Sequence, residues 1–108
     1  MDELLAGMDQ LSVDVINLQY DLEDHFEDKN LASRLNTIKS QLKYFEASFK
    51  AECGPQEERS LAGYHLLGCQ NALSALNGIT EESNVFDIIE ALRDVYTAVR
   101  FGFDVMDE

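Results

Sequence analysis

Residues 20–30 read YDLEDHFEDKN, which gathers five carboxylates and one histidine into eleven positions. Carboxylate and imidazole are ligand types for a divalent metal, and a carboxylate also serves as an acid or base. At about 100° per residue, Asp21, Asp24, His25 and Asp28 share one helix face roughly 100° wide. A di-iron bundle requires more, namely Glu-x-x-His on two of its helices. Leu22 stands at the Glu position relative to His25, and Ala62 at the same offset before His65, so that chemistry is not encoded.

A second histidine, His65 in GYHLLGCQ, raises phosphotransfer through a helical imidazole. That reaction needs positive charge close to the developing negative charge. No Lys or Arg lies between Arg59 and Arg93, so the expected state of His65 is a partly buried, hydrogen-bonded core side chain. Cys53 and Cys69 form no Cys-x-x-Cys motif and are placed roughly 20 Å apart on antiparallel helices, beyond disulfide reach. Cys69 reads as a small apolar core residue. No nucleophile motif or Gly-rich phosphate loop is present.

The pairs Asp24-x-x-Glu27 and Asp87-x-x-Glu90 are superficially similar to the Glu-x-x-Glu and Glu-x-x-Asp pairs by which small acidic all-α nucleotide pyrophosphatases hold Mg²⁺. The similarity covers these four residues only. The second pair lies too far along the chain, and no such pair occupies the second and third helices. Carboxylate pairs at this spacing arise readily in a chain with 21 acidic residues. A Mg²⁺-dependent hydrolase is therefore the alternative reading, and no metal or cofactor is assigned.

The elements that carry these residues follow from apolar spacing. Leu4, Met8, Leu11, Val15, Leu18 and Leu22 alternate by four and three, which marks one face of a helix. The phase resets at Asp28-Lys29-Asn30, and Leu31, Leu35, Ile38, Leu42, Phe45 and Phe49 begin a second stripe. Gly54-Pro55 is the strongest break, since Gly suits a helix end and Pro a first turn. Ala62, Leu66, Cys69, Leu73 and Leu76 form a third stripe, rich in small residues, which Asn77-Gly78 ends. Thr80, Ser83 or Asn84 is a suitable cap for the last helix, whose seam is Val85, Ile89, Leu92, Tyr96, Val99, Phe103 and Met106.

The reading is an all-α, antiparallel up-down-up-down four-helix bundle in a single domain, 1–108, with helices at 2–27, 31–52, 56–77 and 83–106. Leu22 and Phe26 should turn inward. Apolar residues outside the seams, Leu5, Ile16 and Tyr20 in the first helix and Ile88, Val95, Phe101 and Val105 in the fourth, either widen the internal face or leave a patch for a homodimer. Folding the second helix back on the first sets Arg34 near Glu23 and Lys43 near Asp14.

The net charge of −13 argues against direct nucleic-acid binding, which needs clustered Lys and Arg, and against docking on an anionic membrane surface. No apolar run approaches the roughly 20 residues of a membrane span, and no signal-like segment opens the chain, so a cytoplasmic location is expected. Residues 1–28 carry −9 and residues 79–108 carry −6, while residues 29–52 carry +3. The first and fourth helices are neighbours in such a bundle, so one long side should be acidic. The leading expectation is a non-catalytic interaction protein that binds a basic protein partner through that side. Asp21, Asp24, Glu27, Asp28, Asp87, Glu90 and Asp94 are the expected contacts. A purely structural, oligomerising bundle is a further alternative.

Overall fold

The computed structural model describes residues 2–53 and 60–106. Four helices follow one another: α1 Asp2–His25, α2 Leu31–Cys53, α3 Leu61–Ala75 and α4 Val85–Met106. Each packs on its two sequence or ring neighbours, α1 on α2 and α4, and α3 on α2 and α4, while across the diagonal Cys69 Sγ of α3 lies 3.9 Å from Met8 Sδ of α1 in the centre of the core. Cross-helix pairs run in opposite senses throughout. Phe49 meets His65 and Lys39 reaches Ile79, while Asp9 meets Arg100 and Glu23 meets Arg93. The fold is thus the expected antiparallel bundle, and no helix among the described residues is long and apolar enough to cross a membrane.

The stripes become the core. Met8, Leu11, Val15, Leu18 and Leu22 of α1 and Leu35, Ile38, Leu42, Phe45 and Phe49 of α2 are buried. In α4 the buried set includes Ile88 and Val95 beside Ile89, Leu92 and Val99, so these two of its extra apolar residues widen the internal face, whereas Phe101 and Val105, like Leu5 and Ile16 of α1, are half-buried and Tyr20 is exposed. α3 lies closest to α4. A Cβ added at Gly68 would sit 2.5 Å from the Ala98 carbonyl oxygen, which only glycine permits.

Helix boundaries differ from the sequence reading where local chemistry intervenes. α1 ends at His25, because Phe26 takes φ 56°, a left-handed conformation that stops the helix. Phe26 is also not inward: it is 54% exposed. α3 begins at Leu61, five residues late, because Ser60 is extended (φ −93°, ψ 158°) and its Oγ accepts from the Gly63 N–H at 3.0 Å. The Gly54-Pro55 break lies outside the described residues. At the other end Gly78 takes φ 80°, as expected of a helix stop, and the Asn84 side chain accepts from the Phe86 N–H at 2.8 Å to cap α4.

Candidate functional site

Arg34 organises the α1–α2 corner. Its Nη1 donates to Asp21 at 2.9 Å and to Asp28 at 2.6 Å, and Asp28 also accepts from the Asn30 N–H at 2.7 Å. Partial burial works against the Arg34 charge, but the hydrogen bonds and charges of Asp21 and Asp28 outweigh it and raise its pKa. The expected Arg34–Glu23 pair is therefore replaced by a pair about half a turn away. Glu23 instead accepts from Arg93 of α4 at 3.0 Å and from Gln19 at 3.1 Å; the Gln19 bond first, then Arg93, lowers its pKa. Lys43 does not meet Asp14, which accepts from Gln10 at 3.1 Å.

The bridges explain how two acidic helices lie side by side. Arg93–Glu23 and Arg100–Asp9, the latter at 2.5 Å, cross directly from α4 to α1. In each pair one partner is exposed, Arg93 or Asp9, and the other half-buried, so solvent screens the attraction and the bridges act mainly on register. Arg100 lies in addition 4.5 Å over the Phe103 ring.

The seven expected contact residues separate into two groups. Asp21 and Asp28 are engaged by Arg34. Asp24, Glu27, Asp87, Glu90 and Asp94 are exposed and join no ion pair among the described residues. Asp87, Glu90 and Asp94 fall at i, i+3 and i+7 of α4 and so line one face. The shared face of Asp21, Asp24, His25 and Asp28 does not form, because the helix ends at His25 and Asp28 turns back to Arg34. Glu27 lies beyond the helix as well, so Asp24 and Glu27 are not an i,i+3 helical pair. Among the described residues no three His, Cys, Asp or Glu side chains converge in a way that could hold a metal ion.

A feature that periodicity could not reveal lies at the same end. Phe26 and Phe86 are 54% and 63% exposed, and their rings meet at 5.6 Å between centroids and 60° between planes. A left-handed conformation costs a bulky residue about 1–2 kcal/mol, and helices normally place Gly or Asn there. Here it turns the Phe26 ring out of the core onto Phe86. Beneath Phe26 opens a cavity of about 350 Å³, with Leu31, Val85 and Ile88 in its walls and Glu27, Lys29 and Glu81 also lining it. The sequence signal was present in part, since Phe86 falls off the α4 seam. A second groove of about 950 Å³ separates the start of α1 from the end of α2; Asp2, Glu3 and Glu52 line it beside Tyr44 and Phe45.

His65 departs from its expected state. It is completely buried, stacked on Phe49 at 5.1 Å and 19° and met edge-on by Phe103 at 4.7 Å. Neither ring nitrogen has a hydrogen-bond partner. Burial, and then the Arg100 charge, lowers its pKa. Gly102 packs directly on the ring, for an added Cβ would lie 2.4 Å from Nδ1. Cys53 and Cys69 are both free and buried, as expected of unpaired thiols. Burial, aided by Glu46, pushes the Cys69 thiol up to about 12, so it carries no nucleophilic thiolate at neutral pH.

Comparison of the chain with protein-family models, with curated proteins and with solved structures returns no match.

Proposed function

We propose that this chain is a non-catalytic acidic interaction protein that binds a basic protein surface through its α1/α4 side. Concrete forms of the activity are an inhibitor that imitates nucleic-acid charge, an immunity protein, or a small chaperone. The observation that supports it best is the unpaired α4 stripe Asp87, Glu90 and Asp94, beside Asp24 and Glu27. Asp21 and Asp28 leave the contact set, because Arg34 already engages them. Charges of this kind act mainly on the association rate and on partner choice, and salt screens them.

The test is capture of partners from the protein's own host at low salt, run in parallel with a variant carrying Asp87→Asn, Glu90→Gln and Asp94→Asn. A stoichiometric basic protein should leave the wild type at moderate salt. The variant should associate with it about tenfold more slowly, which three charges of about 0.5 kcal/mol each account for. Equal association rates for the two proteins would refute the assignment of this face.

A further inference from the structure

We infer that Phe26 and Phe86 are the apolar anchor of the acidic side, and that their occupant is an amphipathic basic segment of a partner protein. The inference rests on the acidic-side reading and adds to it the place and the chemistry of the contact. One apolar side chain of the segment would lie against the two rings and enter the cavity walled by Leu31, Val85 and Ile88. Lysine or arginine residues flanking it would meet Glu27 and Glu81 at the cavity and Asp87 and Glu90 beside Phe86.

Three observations converge on this end of the bundle. Apolar side chains exposed in contact with one another mark association sites more than singly scattered ones do, and aromatic anchors set in pockets carry much of the energy of protein contacts. The Phe26 ring is outside only because its backbone adopts a conformation that glycine would take more readily, so folding does not require phenylalanine there. The surrounding charge is complementary to a cation. Glu27, Glu81, Asp87 and Glu90 are exposed and in no ion pair among the described residues, while Lys29 is the one basic residue lining the cavity. Glu90 lies one helical turn after Phe86, on the same face. The rings themselves attract a guanidinium or ammonium group. The same carboxylates repel lipid headgroup phosphates and nucleic acid, which leaves a basic polypeptide as the occupant.

The experiment titrates the ¹⁵N-labelled protein, at low salt, with a helical Leu/Lys peptide and with a Ser/Lys peptide of equal length and charge. The Leu/Lys peptide should bind about tenfold more tightly and shift the amides of Phe26, Glu27, Phe86 and Glu90. Phe86→Ser should abolish that tenfold advantage. Phe86 is largely exposed, so the variant should fold; Phe26→Gly, which keeps the backbone conformation, provides the same test if it does not. Equal affinities for the two peptides, an undiminished advantage in these variants, or shifts centred elsewhere would overturn the anchor. The acidic-side reading would survive if both peptides still bind along α1 and α4. Failure of both peptides to bind would overturn both.

Discussion

His65 permits a quantitative test of the core, because its ring is sealed between Phe49 and Phe103 with both nitrogens unpartnered. A cation there would have no acceptor and would face the Arg100 charge, so the folded state holds the ring neutral and its pKa is lowered. The unfolded chain, in which histidine titrates near 6.5, therefore binds the proton more readily than the folded one. The contribution is complete above about pH 6.5 and is lost as pH falls through and below that value. The ceiling on the loss between pH 7.5 and pH 5.0, reached only by a ring that never takes the proton in the fold, is about 2 kcal/mol. Many carboxylates also respond to pH in a chain of net charge −13, so the wild type alone is not informative. The comparison is with His65→Phe, which keeps a ring against Phe49 and cannot titrate. Any packing penalty from the larger ring beside Gly102 is the same at both pH values. Urea unfolding at the two pH values should show wild type losing more stability than His65→Phe, by up to that ceiling of about 2 kcal/mol. Equal losses would mean that the ring reaches water or an acceptor in the folded state, and the argument for a neutral buried imidazole would fail.

Gly68→Ala should destabilise the bundle by about 1–3 kcal/mol in urea, because its Cβ meets backbone, the Ala98 carbonyl, which cannot rotate away. Arg34→Ala removes both bridges of the α1–α2 corner and should cost about 1 kcal/mol; high salt should remove the part carried by the exposed Asp21 arm and leave most of the part carried by the more buried Asp28 arm. Cys69 should resist an alkylating reagent in the native protein at pH 8 and react only on unfolding. Labelling at the rate of a free thiol would contradict its burial and its raised pKa.

The architecture was legible because the four-and-three spacing of apolar residues is long and nearly unbroken in α1, α2 and α4. What the spacing could not show were events at single residues. Phe26 sits four after Leu22, on the seam, and periodicity alone turns it inward; one left-handed φ turns it out and ends α1 early. The start of α3 was misplaced for a similar reason, since proline favours a first turn but Ser60 supplies the actual cap. Charge pairing by simple antiparallel register brought Arg34 to the correct corner and missed its partners. Whether Asp21, Glu23 or Asp28 takes the guanidinium depends on side-chain direction around the turn. His65 was expected to be hydrogen-bonded because most buried imidazoles are; its neighbours turned out to be rings, which no linear pattern encodes.

The use made of positive charge separates the carboxylates that the fold engages from those that it does not. Among the described residues four basic side chains act inside the bundle: Arg34 holds Asp21 and Asp28, Arg93 holds Glu23, Arg100 holds Asp9, and Lys39 donates to the Ile79 carbonyl at 2.5 Å. Each of these contacts joins two elements, so the carboxylates they engage are explained by the fold. Asp24, Glu27, Glu81, Asp87, Glu90 and Asp94 are not explained in this way, and their mutual repulsion opposes the compact state. A bundle selected for stability alone would place lysines among them at i,i+4 spacing, a device that stabilises exposed helices by about 0.2–0.5 kcal/mol per pair. Leaving them uncompensated, next to two exposed phenylalanines, makes the free protein less stable than such pairs would make it, and under the proposed function the missing positive charge comes from a basic partner.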